Sequence, residues 1–216
     1  MPLKLHTGGG WRRWLGARFG GDFDLGDRIW RRMLHLCGAA ILVYYVLPFH
    51  LVSWLTTEEL LLIGLGLVLV LEVLRWTTGL ELPTIREYER ARIASYTFYA
   101  VALVAAVLLF PKVIAVIVVL GTAFVDPLIG ELRHSLRWRP AYPWLPGAVY
   151  VLLGASAAQL VGHWAFFASV AGAGVAAVLA LAVERPKIPN LDDDLAMTIV
   201  PALALAGLAL LWPAVF

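Results

Sequence analysis

Cysteine and charge are what this chain has least of. A single cysteine, Cys37, in 216 residues excludes a disulfide framework and any multi-cysteine metal site. Charged residues make up 15% of the chain, against about 25% in an ordinary soluble domain. Hydrophobic residues make up 61%, more than one soluble core of this size can hide. A bilayer accepts such a surface, and it restricts the backbone to helices or a closed barrel. The apolar runs are long and unbroken rather than alternating, which selects helices over a barrel.

The expected fold is therefore an all-α polytopic membrane bundle of about seven transmembrane helices. Spanning segments are expected at 33–55, 58–76, 93–110, 113–132, 147–162, 164–183 and 195–216. Most approach the roughly 20 residues that cross a hydrocarbon core, and the fifth is short. Residues 1–32 are a separate basic segment, in which Trp11, Trp14 and Trp30 sit among Arg12, Arg13, Arg18, Arg28, Arg31 and Arg32. This segment lacks the apolar stretch and small-residue cleavage site of a signal peptide and is expected to be retained. Its mixture of arginine and tryptophan suits an anionic membrane surface. Residues 33–216 form the transmembrane domain.

The few charges are unevenly placed. With the N-terminus in the cytoplasm, sixteen of the seventeen lysines and arginines fall on that side, and Lys112 is the exception. The positive-inside rule selects this orientation. Asp126, Glu131, Glu184, Asp192, Asp193 and Asp194 gather at the same leaflet, whereas the outer loops carry Glu58 and Glu59. A pore needs polar groups through the whole membrane thickness. The pattern is that of a site at the inner membrane surface.

Two segments carry carboxylates into apolar runs. In Gly121-Thr122-Ala123-Phe124-Val125-Asp126-Pro127, an aspartate costs about 2.5–3.5 kcal/mol to insert and so has a partner or a task. Pro127 removes a backbone donor and is expected to kink or break the helix. The bland reading is an ion pair between Asp126 and an arginine at the membrane rim. The second segment, Asp192-Asp193-Asp194-Leu195, places three carboxylates at a helix start, where the macrodipole and capping both favour them. One aspartate caps and the others are solvated, or the three form a hard oxygen site of the kind Mg²⁺ uses with phosphates.

The cations supply the complementary chemistry. Arg133, Arg137 and Arg139 share a loop with Trp138, Tyr142 and Trp144, and guanidinium forks hold phosphate bidentately. Simple membrane anchoring is the competing explanation. His35 follows Arg31-Arg32-Met33-Leu34, and helical spacing puts Arg31, Arg32 and His35 on one face. That histidine helps to hold phosphate or bonds within the bundle.

In order along the chain, these segments resemble the polyprenol kinase family: dolichol kinase, phytol kinase and the CTP-dependent diacylglycerol kinases. Arg31-Arg32-Met33-Leu34-His35 resembles the family's opening basic pair and histidine. Gly121 to Gly130 resembles its Gly-Asp-x-x-Ala motif, with Thr122 where the family usually has aspartate. Pro146-Gly147-Ala148 is the nearest counterpart of its small-residue segment, without the neighbouring lysine and glutamate. Glu184, then Asp192-Asp193-Asp194-Leu195 and Pro201, resemble its closing motif, with Asp194 in place of asparagine. The resemblance covers residues 28–205.

The resemblance implies phosphoryl transfer from CTP, or another nucleoside triphosphate, to the hydroxyl of a polyprenol or glycerolipid at the cytoplasmic leaflet, with Mg²⁺ as cofactor. Asp126, Asp193 and Asp194 would be catalytic, with Asp126 orienting the acceptor hydroxyl. Asp192, Asp193, Asp194 and Glu131 would hold the metal. His35, Arg32, Thr122, Arg133, Arg137 and Lys187 would bind the nucleotide. The expected partners are a membrane lipid substrate, a nucleotide and the anionic membrane surface, with no nucleic acid and no oligomeric state assigned. Two alternatives stay open: a cytidylyltransferase that forms a CDP-lipid, and an inactive member that binds lipid or scaffolds a complex.

Overall fold

The computed structural model describes residues 32–80, 85, 92–134, 137–184 and 192–213. Among them are seven helices, a single 3₁₀ turn over Arg139–Ala141 and one small hairpin. The helices are α1 (Arg32–Tyr45), α2 (Thr57–Thr78), α3 (Ser95–Leu109), α4 (Lys112–His134), α5 (Trp144–Gly162), α6 (Phe166–Glu184) and α7 (Asp193–Leu211). The hairpin pairs β1 (His50–Val52) with β2 (Leu55–Thr56) between α1 and α2. Five helices (α2, α4, α5, α6 and α7) are long and apolar enough to cross a membrane.

Local chemistry sets the boundaries. At the start of α2, Thr56 and Glu59 form a reciprocal capping box, with the Thr56 N–H donating to Glu59 Oε2 at 2.8 Å and so satisfying an end-of-helix donor. Gly79 closes the same helix in the left-handed region at φ 69°, a conformation that costs glycine nothing. Pro111 separates α3 from α4, because the residue before a proline disfavours the helical region, and Phe110 is extended.

Several expected boundaries are corrected. The first helix stops at Tyr45, not 55, because its last turns tighten into a 3₁₀ helix over Ala39–Tyr45 and Pro48 and the hairpin follow. The fifth segment is not short. It begins at Trp144 and runs for 19 residues, since Pro146 falls in the first turn, where a missing N–H costs little. The short helices are α1 and α3, and the 15 residues of α3 span about 22 Å at 1.5 Å per residue. The last helix starts at Asp193 and ends at Leu211. Finally, α4 neither breaks nor ends at Pro127 but continues to His134. One lost backbone bond is tolerated where neighbouring helices enclose the segment.

The core lies around α4. Ile114, Ile117, Val118, Val119 and Val125 of α4 pack with Tyr150 and Ala158 of α5, Ala176 and Ala180 of α6, and Met197, Ala202 and Leu205 of α7. Gly121 is needed here, because a side chain at that position would overlap the ring of Tyr150. Most of α4 is buried, whereas α2 buries Thr57, Glu72 and Arg75 alone and presents Leu67, Val70 and Val73 outward. An apolar exterior of that kind is costly in water and ordinary in lipid.

Consecutive helices run up and down. One end of the bundle therefore collects the starts of α1, α3, α5 and α7 and the ends of α2, α4 and α6. Exposed Trp76, Trp138 and Trp144 ring this end, and Phe49, Trp54, Phe166, Phe167 and Trp212 ring the other.

Candidate functional site

The side chains singled out in the sequence converge at the first of these ends. His35, one turn into α1, is buried, and its ring stacks on Tyr99 of α3 with centroids 4.6 Å apart. The Tyr99 hydroxyl donates to the His35 carbonyl at 2.8 Å, so both ring and backbone of the histidine are fixed. Its Nε2 lies 3.1 Å from Asp194 Oδ1 and 3.4 Å from Asp126 Oδ2. Residues from α1, α4 and α7, up to 159 positions apart in the chain, thus share one point.

Asp192 sits just before α7 and caps it, accepting from the Asp194 N–H at 3.1 Å. This is the capping role that three aspartates at a helix start suggest. Its other oxygen accepts from the Ser95 hydroxyl at 2.7 Å. Two groups of potential metal ligands result, each with donor atoms within 4.8 Å of one another: His35, Asp126 and Asp194, and Asp192, Asp193 and Asp194. Asp194 belongs to both.

One helical turn deeper, Thr122 of α4 and Thr198 of α7 are fully buried, with hydroxyls 2.9 Å apart. They follow the spacing of the carboxylates, four residues from Asp126 and from Asp194. The antiparallel crossing of α4 and α7 therefore stacks a neutral hydroxyl pair beneath a charged cluster.

Glu131 and Arg32 form an ion pair with each other, and among the described residues Glu131 is in neither ligand group. Arg133 forks onto Glu184 of α6, and Tyr142 also donates to Glu184, at 3.2 Å. Arg137 is exposed and lies over the Trp138 ring, 5.4 Å from its centroid. Lys187 and Arg31 lie outside the described residues. Of the residues expected at the site, the structure brings together His35, Asp126, Asp192, Asp193 and Asp194, with Thr122 beneath them. The side chains of Arg133 and Arg137 engage Glu184 and Trp138 instead.

Sequence reasoning missed Ser95 and Tyr99. Both stand at the start of α3, within Ser95-Tyr96-Thr97-Phe98-Tyr99, and the hydroxyl-rich run before an apolar helix was the available signal. Also missed was the extent of the network around Glu72 of α2. Its carboxylate accepts two bonds from Arg75, at 3.0 and 2.7 Å, one from the Ala94 N–H at 3.0 Å and one from the Tyr96 hydroxyl at 2.6 Å.

The chain has been compared with protein-family profiles, with curated proteins and with solved structures, and none of them matches it.

Proposed function

We propose that this is a multi-pass membrane protein with the carboxylate cluster at the cytoplasmic surface, acting as a CTP-dependent lipid kinase of the polyprenol kinase kind. The observation that carries the reading is that Asp126 and Asp194 both lie within 3.4 Å of His35 Nε2. These residues come from three separate segments, each of which resembles a different motif of that family. The orientation rests on the sequence, in which sixteen of the seventeen lysines and arginines fall in the N-terminal segment and the alternate loops assigned to one side. Two girdles of exposed aromatics suit the two faces of a bilayer.

The donor atoms suit a hard divalent cation. Asp192, Asp193 and Asp194 offer three carboxylates, and Mg²⁺ prefers oxygen and is usually held by one or two carboxylates together with substrate phosphates. Asp192, Asp193 and Asp194 would hold Mg²⁺, which would supply charge neutralisation for a triphosphate, the main electrostatic requirement of phosphoryl transfer. The protein's own part is positioning. The cap at Asp192 sets the first turn of α7, and this places Asp193 and Asp194 side by side. Asp126, a quarter exposed at its side chain, is the carboxylate placed to accept the proton of an incoming lipid hydroxyl. His35 holds Asp126 and Asp194 in register. Arg32 and Arg137 are the cations proposed for the phosphates, which would draw Arg32 from Glu131 and Arg137 from the face of Trp138.

One observation favours a second reading. Thr122 occupies the position where the family usually has an aspartate, and its hydroxyl is fully buried against Thr198 and the Val118 carbonyl. No charge is available there, as an inactive lipid-binding or scaffolding member would show.

The deciding experiment incubates the purified protein in detergent–lipid with Mg²⁺, labelled CTP and a panel of prenols and diacyl or dialkyl glycerols. CDP together with a phosphorylated lipid is the expected outcome, lost in Asp126→Asn and Asp193→Asn variants that remain folded. Pyrophosphate with a CDP-lipid would replace the kinase by a cytidylyltransferase. No product and no CTP binding would leave the inactive reading standing.

A further inference from the structure

Asp192 does more than a cap requires. A capping aspartate satisfies a free helix N–H with one oxygen. Here Oδ1 accepts from the Asp194 N–H and Oδ2 from Ser95, so both oxygens of a buried carboxylate are held. The second bond ties the first turn of α7 to the first turn of α3 and fixes the plane of the carboxylate group. Asp193 and Asp194 ride on the turn that is held.

Ser95 is itself gripped from both sides. Glu72 accepts from the residue before it, through the Ala94 N–H, and from the residue after it, through the Tyr96 hydroxyl. Arg75 donates to the Arg92 carbonyl at 2.6 Å while paired with the same Glu72. Both charged residues are buried, on the least buried of the five long apolar helices. Burying an ion pair is a poor source of stability, since well-packed apolar side chains of similar volume often do as well or better. What this pair achieves, and an apolar pair would not, is fixation of the backbone from Arg92 to Tyr96.

We propose that Ser95 is a positioning residue for the Asp192–Asp194 carboxylates, and that the Glu72–Arg75 pair sets Ser95 in place for that purpose. The inference rests on the reading that these carboxylates take a divalent cation. Groups that orient metal ligands from behind change affinity by about 10–100-fold when removed. The connected path runs from α2 through the start of α3 to the cap of α7, and each step is a hydrogen bond of 3.0 Å or less.

The test uses the purified full chain in detergent–lipid micelles and Mn²⁺ as probe, with free Mn²⁺ followed by electron paramagnetic resonance. Ser95→Ala is expected to weaken Mn²⁺ binding by about 10-fold or more, and Ser95→Thr, which keeps the hydroxyl, to restore it. Glu72→Gln is expected to weaken binding as well. Because that variant leaves Arg75 short of its partner and can fail to fold, Ser95→Ala decides. Wild-type affinity in Ser95→Ala would overturn the inference and leave the cation reading intact. Equal loss in Ser95→Ala and Ser95→Thr would also overturn it, by pointing to packing rather than to the hydroxyl. A wild-type protein that binds no Mn²⁺ would remove the cation reading and this inference together.

Discussion

Thr122 and Thr198 face each other across α4 and α7 with hydroxyl oxygens 2.9 Å apart. Each also reaches back to its own helix, Thr122 to the Val118 carbonyl at 3.0 Å and Thr198 to the Asp194 carbonyl at 2.9 Å. Two hydroxyls bring two protons, and three hydrogen bonds are drawn, so one of the three is unfilled at any moment. The pair is a neutral, proton-limited floor beneath the charged cluster. It satisfies the helix crossing at this depth without a charge.

That floor gives the first prediction. Thr122→Val removes one shared proton and should cost about 1 kcal/mol, with Mn²⁺ binding preserved. Thr122→Asp places a carboxylate at a fully buried position and should lower the unfolding temperature far more, because an unpaired buried charge is heavily penalised. If the cluster above takes a divalent cation, added Mn²⁺ should narrow that deficit. Thermal unfolding in micelles with and without Mn²⁺ measures both effects. A Thr122→Asp protein as stable as wild type in the absence of cation would show that the floor is wet.

A second prediction concerns the charged pair of α2. Glu72→Met or Arg75→Met alone should destabilise by about 3–5 kcal/mol, since each strands a buried charge. Replacing both with methionine should destabilise by less than the sum of the two single changes. The strength of coupling is read from a double-mutant cycle on unfolding in detergent. Additive effects would mean that the two side chains do not act as a unit.

Orientation is tested through the cysteine the chain nearly lacks. Replacing Cys37 by serine gives a cysteine-free background, into which Arg137→Cys or Glu58→Cys introduces one label site at either end of the bundle. In sealed, right-side-out vesicles an impermeant maleimide should modify Glu58→Cys at once and Arg137→Cys only after the membrane is opened. The reverse pattern would invert the proposed topology.

Much of this architecture was legible in the sequence because a bilayer makes the hydrophobic signal strong. Seven apolar segments gave seven helices, and the grouping of charge at alternate loops marked the end where side chains meet. Boundaries were less legible where short-range chemistry overrode hydropathy. Residues 46–56 are apolar enough to extend a span, yet Pro48 and the hairpin turn them aside. Asp126, Asp194 and His35 each stood out as polar groups in apolar surroundings, but their common meeting point depends on the order in which α1, α4 and α7 pack. Ser95 and Tyr99 carried no comparable signal, since a hydroxyl at a helix start is commonplace. Arg133 shows a different limit: its charge suggested phosphate, but no sequence pattern pointed to Glu184, on which its fork lies.

The two prolines have a mechanical consequence. Pro127 cannot donate to the carbonyl of Ala123, nor Pro201 to that of Met197, so α4 and α7 each lack one rung beside the Thr122–Thr198 contact. A helix with a missing rung bends there without breaking a further bond. The two walls of the cluster are therefore compliant at the same depth, while α5 and α6 carry no proline beyond the first turn and pack through many alanines. Motion that widens or narrows the gap between Asp126 and Asp194 would be concentrated in this one pair of helices, pivoting on the threonines, with the rest of the bundle acting as a rigid frame.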